Sequence, residues 1–162
     1  MKIGLISDSH DHLENIRKSA KVFKDNKVDL VIHLGDYVNP NSVLAFKGLK
    51  LTGIFGNNDG DKFRLINAFN TIGGEIKGDF HEFEADGLKC ACYHGTEPQL
   101  KNSLIECGRY DVVMCGHTHE CVSKNFGDTL VLNPGTSHGF MGKATVMVFD
   151  TLTRKAETIE LR

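Results

Sequence analysis

Short apolar runs recur along the 162-residue chain, and polar turns containing glycine, aspartate or histidine end them. Residues 2–7, 30–34, 51–55, 88–93 and 112–115 form five such runs. An apolar run bounded by turn residues predicts a buried strand. Helical stretches separate the first three runs. Residues 13–25 carry Ile16, Ala20 and Phe23 as an apolar stripe at helical spacing. Residues 41–46 and 62–69 predict two shorter helices. Strand and helix in alternation predict βαβ units and a parallel sheet.

Beyond residue 80 the pattern changes. Residues 80–85 and 88–93 flank Asp86-Gly87, a strong hairpin signal. A helix over 99–106 returns the chain to 112–115. Residues 121–126 and 129–132 flank Gly127-Asp128 as a second hairpin, and 145–149 with 156–160 form a last pair of strands. This order suits a two-sheet α/β sandwich better than a Rossmann sheet. No repeat or linker divides it, so residues 1–162 predict a single domain, large enough for a real core.

Composition narrows the function classes. Nineteen Lys and Arg against 21 Asp and Glu leave a net charge of −2. No basic field is available to recruit nucleic acid or an anionic membrane. No apolar stretch reaches the length of a membrane span and Met1 leads straight into a strand, so a cytoplasmic protein without leader or anchor is expected. The five cysteines contain no CxxC pair. Cys90 and Cys92, two apart on a strand, share one face and read as small apolar filler in a reduced compartment.

The turns after the five runs carry the chemistry. They are Asp8-Ser9-His10, Gly35-Asp36, Gly56-Asn57-Asn58-Asp59, His94-Gly95 and Gly116-His117-Thr118-His119. Ligands at the carboxyl ends of several strands can converge on one crevice. Asp8 and His10 can face one ion from an extended turn, and His117 and His119 repeat that spacing. Asp36 suits a carboxylate bridging two ions, Asn57 offers a neutral amide oxygen, and His94 adds an imidazole. Such a donor mixture fits Mn, Fe, Ni or Zn better than Ca. Each piece has a plainer explanation: Asp-x-His occurs at caps, Asp36 could start a helix, and Asn57–Gly60 reads as a tight turn. Recurrence at every one of these strand ends weakens that explanation. His33, inside an apolar run, reads as a buried hydrogen-bonded residue; His12 and His81 read as solvated. His138 follows Asn133-Pro134-Gly135-Thr136, a loop able to line a substrate pocket.

Taken together these motifs resemble the calcineurin-like metallophosphoesterases, whose pattern runs D-x-H, G-D, G-N-H-[D/E], H and G-H-x-H. The small size, Asn57-Asn58-Asp59, Gly116–His119 and Asn133-Pro134-Gly135 resemble the compact prokaryotic phosphodiesterase branch, related to the retromer subunit of the same fold. The resemblance implies a four-layer αββα sandwich of two mixed sheets. It implies two divalent ions, foremost Mn with Ni, Fe, Zn or Co as alternatives. Asp8, His10, Asp36 and His119 would hold one ion, and Asp36 would bridge to another held by Asn57, His94 and His117. Asp36, Asn58 and Asp59 are the expected catalytic groups; Asn58, Asn133, Thr136 and His138 are the expected substrate contacts. The family commonly has His where this chain has Asn58, and Arg after the Asn-Pro-Gly-Ser loop, where this chain reads Thr136-Ser137-His138-Gly139-Phe140. An amide cannot protonate a leaving group. A phosphodiesterase acting on a small diester, weaker on monoesters, is therefore expected. A homodimer or homotetramer is expected too. The alternative is a non-catalytic scaffold like the retromer relative.

Overall fold

A computed structural model describes every residue from Met1 to Arg162 except Met141. The first half builds β1 (Lys2–Ile6), α1 (Leu13–Asp25), β2 (Leu30–His33), α2 (Pro40–Leu44), β3 (Leu51–Gly53), α3 (Lys62–Ile72) and the two-residue β4 (Glu75–Ile76). The second half builds β5 (Phe80–Ala85), β6 (Leu88–Tyr93), α4 (Pro98–Glu106), β7 (Val112–Met114), β8 (Cys121–Phe126), β9 (Thr129–Pro134), β10 (Thr145–Asp150) and β11 (Lys155–Glu160). Two mixed sheets result, in the orders β11-β10-β1-β2-β3-β4 and β5-β6-β7-β9-β8. The fold is the two-sheet α/β sandwich expected. The second sheet is less antiparallel than the hairpins suggested, because β6, β7 and β9 run parallel at its centre. The last hairpin also crosses back: β10 pairs with β1 in the first sheet.

Strand alternation divides the core. Ile3, Leu5, Ile32 and Leu34, with Phe149 of β10, face the other sheet and meet Cys90, Cys92, Val112, Met114 and Leu132 there. The opposite face of the first sheet gives Ile6 and Val31, which pack with Ile16, Ala20 and Phe23 of α1 and Phe69 of α3. The outer face of the second sheet is covered thinly, by Leu104 and Ile105 of α4 against Ala91, Tyr110 and Val113. Burial raises the thiols of Cys90 to about 12 and Cys115 to about 11, which keeps them protonated filler. No described helix is long and apolar enough to cross a membrane.

Element boundaries moved where caps decide them. The helix expected over 41–46 starts at Pro40, because the Asn39 side chain accepts the Asn41 N–H and proline suits the first helical position. The one expected over 62–69 runs on to Ile72, where Gly73 ends it at φ 71°. Asn133 and Pro134 belong to β9, paired with Val122 and Cys121, rather than to a free loop. Tyr37 is fully buried and donates to the His33 carbonyl, whereas Phe140 is exposed.

Gly4 of β1 lies under the Phe23 ring, and a Cβ built there would sit 2.6 Å from Phe23 Cδ1. Gly4→Ala therefore overpacks the joint between α1 and the sheet. It should destabilise the fold by roughly 1–3 kcal/mol, read as a lower Tm in a thermal melt; an unchanged Tm would show that α1 can shift freely.

Candidate metal centre

Because β1, β2 and β3 run parallel, as do β6, β7 and β9, each set delivers its carboxyl ends to one edge. The two edges meet. Backbone bonds from Ser137 N to Ser7 O (3.1 Å) and from His138 N to Asp8 O (3.3 Å) stitch the turn after β9 to the turn after β1. The His117 N–H donates to Asp8 Oδ2 (3.0 Å), which brings in the turn after β7.

Two buried carboxylates stand at the centre. Asp8 Oδ1 lies 3.1 Å from His119 Nε2, 3.9 Å from His10 Nε2 and 4.0 Å from His94 Nε2. Asp36 Oδ2 lies 3.5 Å from the Nε2 of both His10 and His94. Those two Nε2 atoms are buried and have no hydrogen-bond partner among the described residues. A buried polar atom without a partner costs free energy on the order of 1–3 kcal/mol unless something other than the protein's own groups satisfies it. His94 shows what that is. Its Nδ1 lies 2.6 Å from the Leu34 carbonyl, which can only accept, so Nδ1 carries the ring proton. In the neutral ring Nε2 then presents a bare lone pair toward Asp36, the state a metal ligand needs. Carboxylate oxygens and imidazole lone pairs meeting at one point fit divalent transition ions. Asp8, His10 and Asp36 bring their donor atoms within 4.8 Å of one another.

The remaining expected ligands lie around this core. The His117 ring sits edge-on to His94, with centroids 5.2 Å apart. Asn57 is exposed at the rim, where its Oδ1 accepts from Thr96 Oγ1 (3.4 Å). Burial works against ionisation of Asp36, but the His94 ring and the Asn58 hydrogen bonds outweigh it and hold its carboxyl below the usual range. Burial lowers the His94 ring, and the neighbouring carboxylates with the Leu34 bond reverse the balance, so its pKa is raised.

The backbone is strained where the candidate ligands sit. Asp8 (φ 51°), His10 (φ 39°), Asp36 (φ 61°), His117 (φ 67°) and His119 (φ 61°) are all left-handed. Each costs on the order of 1–3 kcal/mol and persists only where surroundings enforce it. Two glycines leave the room that these turns need. A Cβ on Gly56 would collide with Asp36 Oδ1, and one on Gly116 with Ser7 Oγ.

Several expected catalytic and substrate residues do other work. Asp59 is 2 % exposed, and its carboxylate accepts from the N–H groups of Asp36 (2.8 Å), Tyr37 (2.8 Å), Val38 (2.9 Å) and Gly56 (2.8 Å). It ties two turns together and has no capacity left for substrate. Burial raises its pKa against those bonds. Asn133 donates to Gly116 O and Thr118 Oγ1 and accepts from Gly135 N, and Thr136 donates to Asp8 O. Both fasten the fold at the edge of the centre. Asn58 donates from its backbone to Asp36 Oδ1 (2.9 Å) and from its amide to Oδ2 (2.7 Å), so it positions the bridging candidate. His138 does reach the centre. Its ring is 4.9 Å from that of His10 and 5.0 Å from that of His119, and burial with those neighbours lowers its pKa to about 4.

Of the other histidines, His33 is buried, and burial lowers it to about 3. Its Nε2 meets Ser9 Oγ, and the Tyr37 ring lies 3.9 Å away. His12 caps α1 by accepting from Asn15 N. Asn15 itself was missed from sequence: its amide donates to the carbonyls of Ser137 and His138. The available signal was a polar pair, Asn15 and Ser19, lodged among the buried positions of α1.

The profile of the calcineurin-like phosphoesterase superfamily domain matches residues 1–154. The chain belongs to that superfamily. Among its relatives is a phosphodiesterase of Methanocaldococcus jannaschii, 41% identical over 165 residues and covering 99% of each chain. A solved archaeal phosphodiesterase superposes with a TM-score of 0.94 at 39% identity, over 99% of this chain and all of that one. The Escherichia coli phosphoesterase YfcE (TM-score 0.72, 17% identity, 100% of both chains) and zinc-bound Vps29 of Entamoeba histolytica (TM-score 0.64, 13% identity, 100% of both chains) share the fold. The superfamily implies divalent metal ions, and the unpartnered histidine nitrogens fit them.

Asp59→Asn tests the tie. An asparagine keeps one accepting oxygen, so the N–H groups bonded to the other are orphaned. The variant should lose roughly 1–3 kcal/mol or more of stability and bind Mn²⁺ about 10–100-fold more weakly. A melt and a calorimetric metal titration check this; wild-type metal affinity would show that the Asp59 knot does not set the ligand geometry.

Proposed function

We propose that this chain is a metal-dependent phosphodiesterase that hydrolyses small phosphodiesters with a two-ion centre and acts more weakly on phosphomonoesters. The observation that carries the reading is the pair of buried, unpartnered Nε2 atoms of His10 and His94, each 3.5 Å from Asp36 Oδ2. The phosphodiesterase relative at 41% identity supports the ester class. Manganese is the ion expected from the mixed carboxylate, amide and imidazole donors, with Ni, Fe, Zn or Co as substitutes.

Divalent ions in such a centre neutralise phosphate charge and acidify the attacking water. The chain's own residues do the rest. Asp8, His10, Asp36 and His119 would hold one ion, and Asp36 with Asn57, His94 and His117 the other. The Leu34 carbonyl holds His94 in its ligating tautomer, and Asn58 holds both oxygens of Asp36. With that amide occupied and unable to protonate, no acid at position 58 assists departure of the leaving group. Esters with good leaving groups are least affected by that lack, which favours activated diesters.

The test is a manganese-supplemented assay on bis-p-nitrophenyl phosphate and p-nitrophenyl phosphate, with Asp36→Ala and His117→Ala as controls. The diester should be the better substrate, and each variant should fall at least roughly a hundredfold in kcat/KM, beyond the loss typical of outer residues. Absence of metal-dependent turnover above the variants would remove the enzyme reading. Faster monoester turnover would remove the role given to Asn58.

A further inference from the structure

His138 belongs to a histidine cluster that looks, at first sight, like a ligand set: His10, His119 and His138 bring ring nitrogens within 4.8 Å of one another. The hydrogen bonds assign it a different role. The Phe140 N–H donates to His138 Nδ1 at 2.8 Å, so Nδ1 holds a lone pair and the ring proton is on Nε2. A protonated nitrogen has no lone pair for an ion. His94 is arranged the opposite way, with Nδ1 donating and Nε2 bare. Two histidines at one centre are thus fixed in opposite tautomers by two backbone groups.

The ring is also held in place. The His138 N–H bonds to the Asp8 carbonyl, its own carbonyl accepts from the Asn15 amide (3.2 Å), and the residue is 5 % exposed. The Phe140 ring lies 4.5 Å away, tilted by 36°. Meanwhile the amide of Asn58, the residue in the family's phosphate-contact position, is spent on Asp36. A fixed neutral N–H beside the ligands is suited to an anionic oxygen, where such bonds are strongest.

We propose, resting on the phosphodiesterase reading, that His138 is a phosphate-binding residue whose Nε2–H donates to a non-bridging oxygen of the substrate, and that it does not ligate metal. The test compares wild type, His138→Ala and His138→Gln in manganese-loaded protein by elemental analysis and by calorimetric titration with inorganic phosphate. Metal content should equal wild type in both variants. Phosphate affinity should fall roughly 10–100-fold in His138→Ala, the worth of a bond to a charged group, and recover in part in His138→Gln, which keeps an N–H donor. Loss of metal, unchanged phosphate affinity, or no phosphate binding by wild type would overturn the proposal. Should the variants fail to fold, ¹⁵N NMR of the zinc-loaded wild type decides: a proton on His138 Nε2 is expected, and one on Nδ1 overturns it. Phosphate binding is read without turnover. A protein that binds phosphate through His138 but cleaves no diester would sink the functional reading alone, and intact turnover with unchanged phosphate affinity would sink only this one.

Discussion

The Asp59 carboxylate, buried between the turns that follow β2 and β3, accepts four backbone N–H bonds, and the ligand geometry hangs from them. Those bonds hold Asp36 and Val38 at left-handed φ of 61° and 70°. For a branched residue such as Val38 this is a genuine outlier. Two strained residues cost on the order of 1–3 kcal/mol each. Four hydrogen bonds converging on one buried carboxylate fix both turns in that conformation. Asp36 can then project its side chain toward His10 and His94 while its backbone turns away from β2.

Around that knot, chemically identical side chains are given different jobs by the backbone groups they meet. His94 gives its Nδ1 proton to a carbonyl and frees Nε2. His33 receives the Gly35 N–H on Nδ1 and keeps its Nε2 against Ser9. Asp8 and Asp36 face histidines, whereas Asp59 faces only peptide N–H groups and Thr136 has turned its hydroxyl to a carbonyl. Residue type announces that chemistry is possible; the neighbouring peptide decides which chemistry.

This division explains how much was legible in the sequence. Apolar runs placed the strands, since burial on one or both faces leaves a direct mark on composition, and helix α1 followed from its stripe. The strand-end positions of Asp8, Asp36, His94 and His117 followed from the runs. The role of Asp59 did not, because an aspartate in an Asn-Asn-Asp-Gly turn looks the same whether it faces substrate or four amides. Asn133 misled for a related reason: Asn-Pro-Gly reads as an exposed turn, yet β8 pairs with its first residues and makes them strand. Strand β4 was invisible, being two residues with little apolar content. The crossing of β10 back to β1 is a long-range pairing that no local pattern records.

That crossing bears on when the site can come into being. Strand β10 pairs with β1 on one side and β11 on the other, so β1 waits for a strand far along the chain before its outer flank is paired. The candidate ligands, spread from Asp8 to His119, meet only once both sheets have docked. Closing loops of that length is slow relative to local helix formation. Ions that bind only the assembled centre stabilise the finished chain and nothing on the way to it, in proportion to the logarithm of their concentration. A centre built this way registers docking: its donors are assembled only when the two sheets have closed on each other.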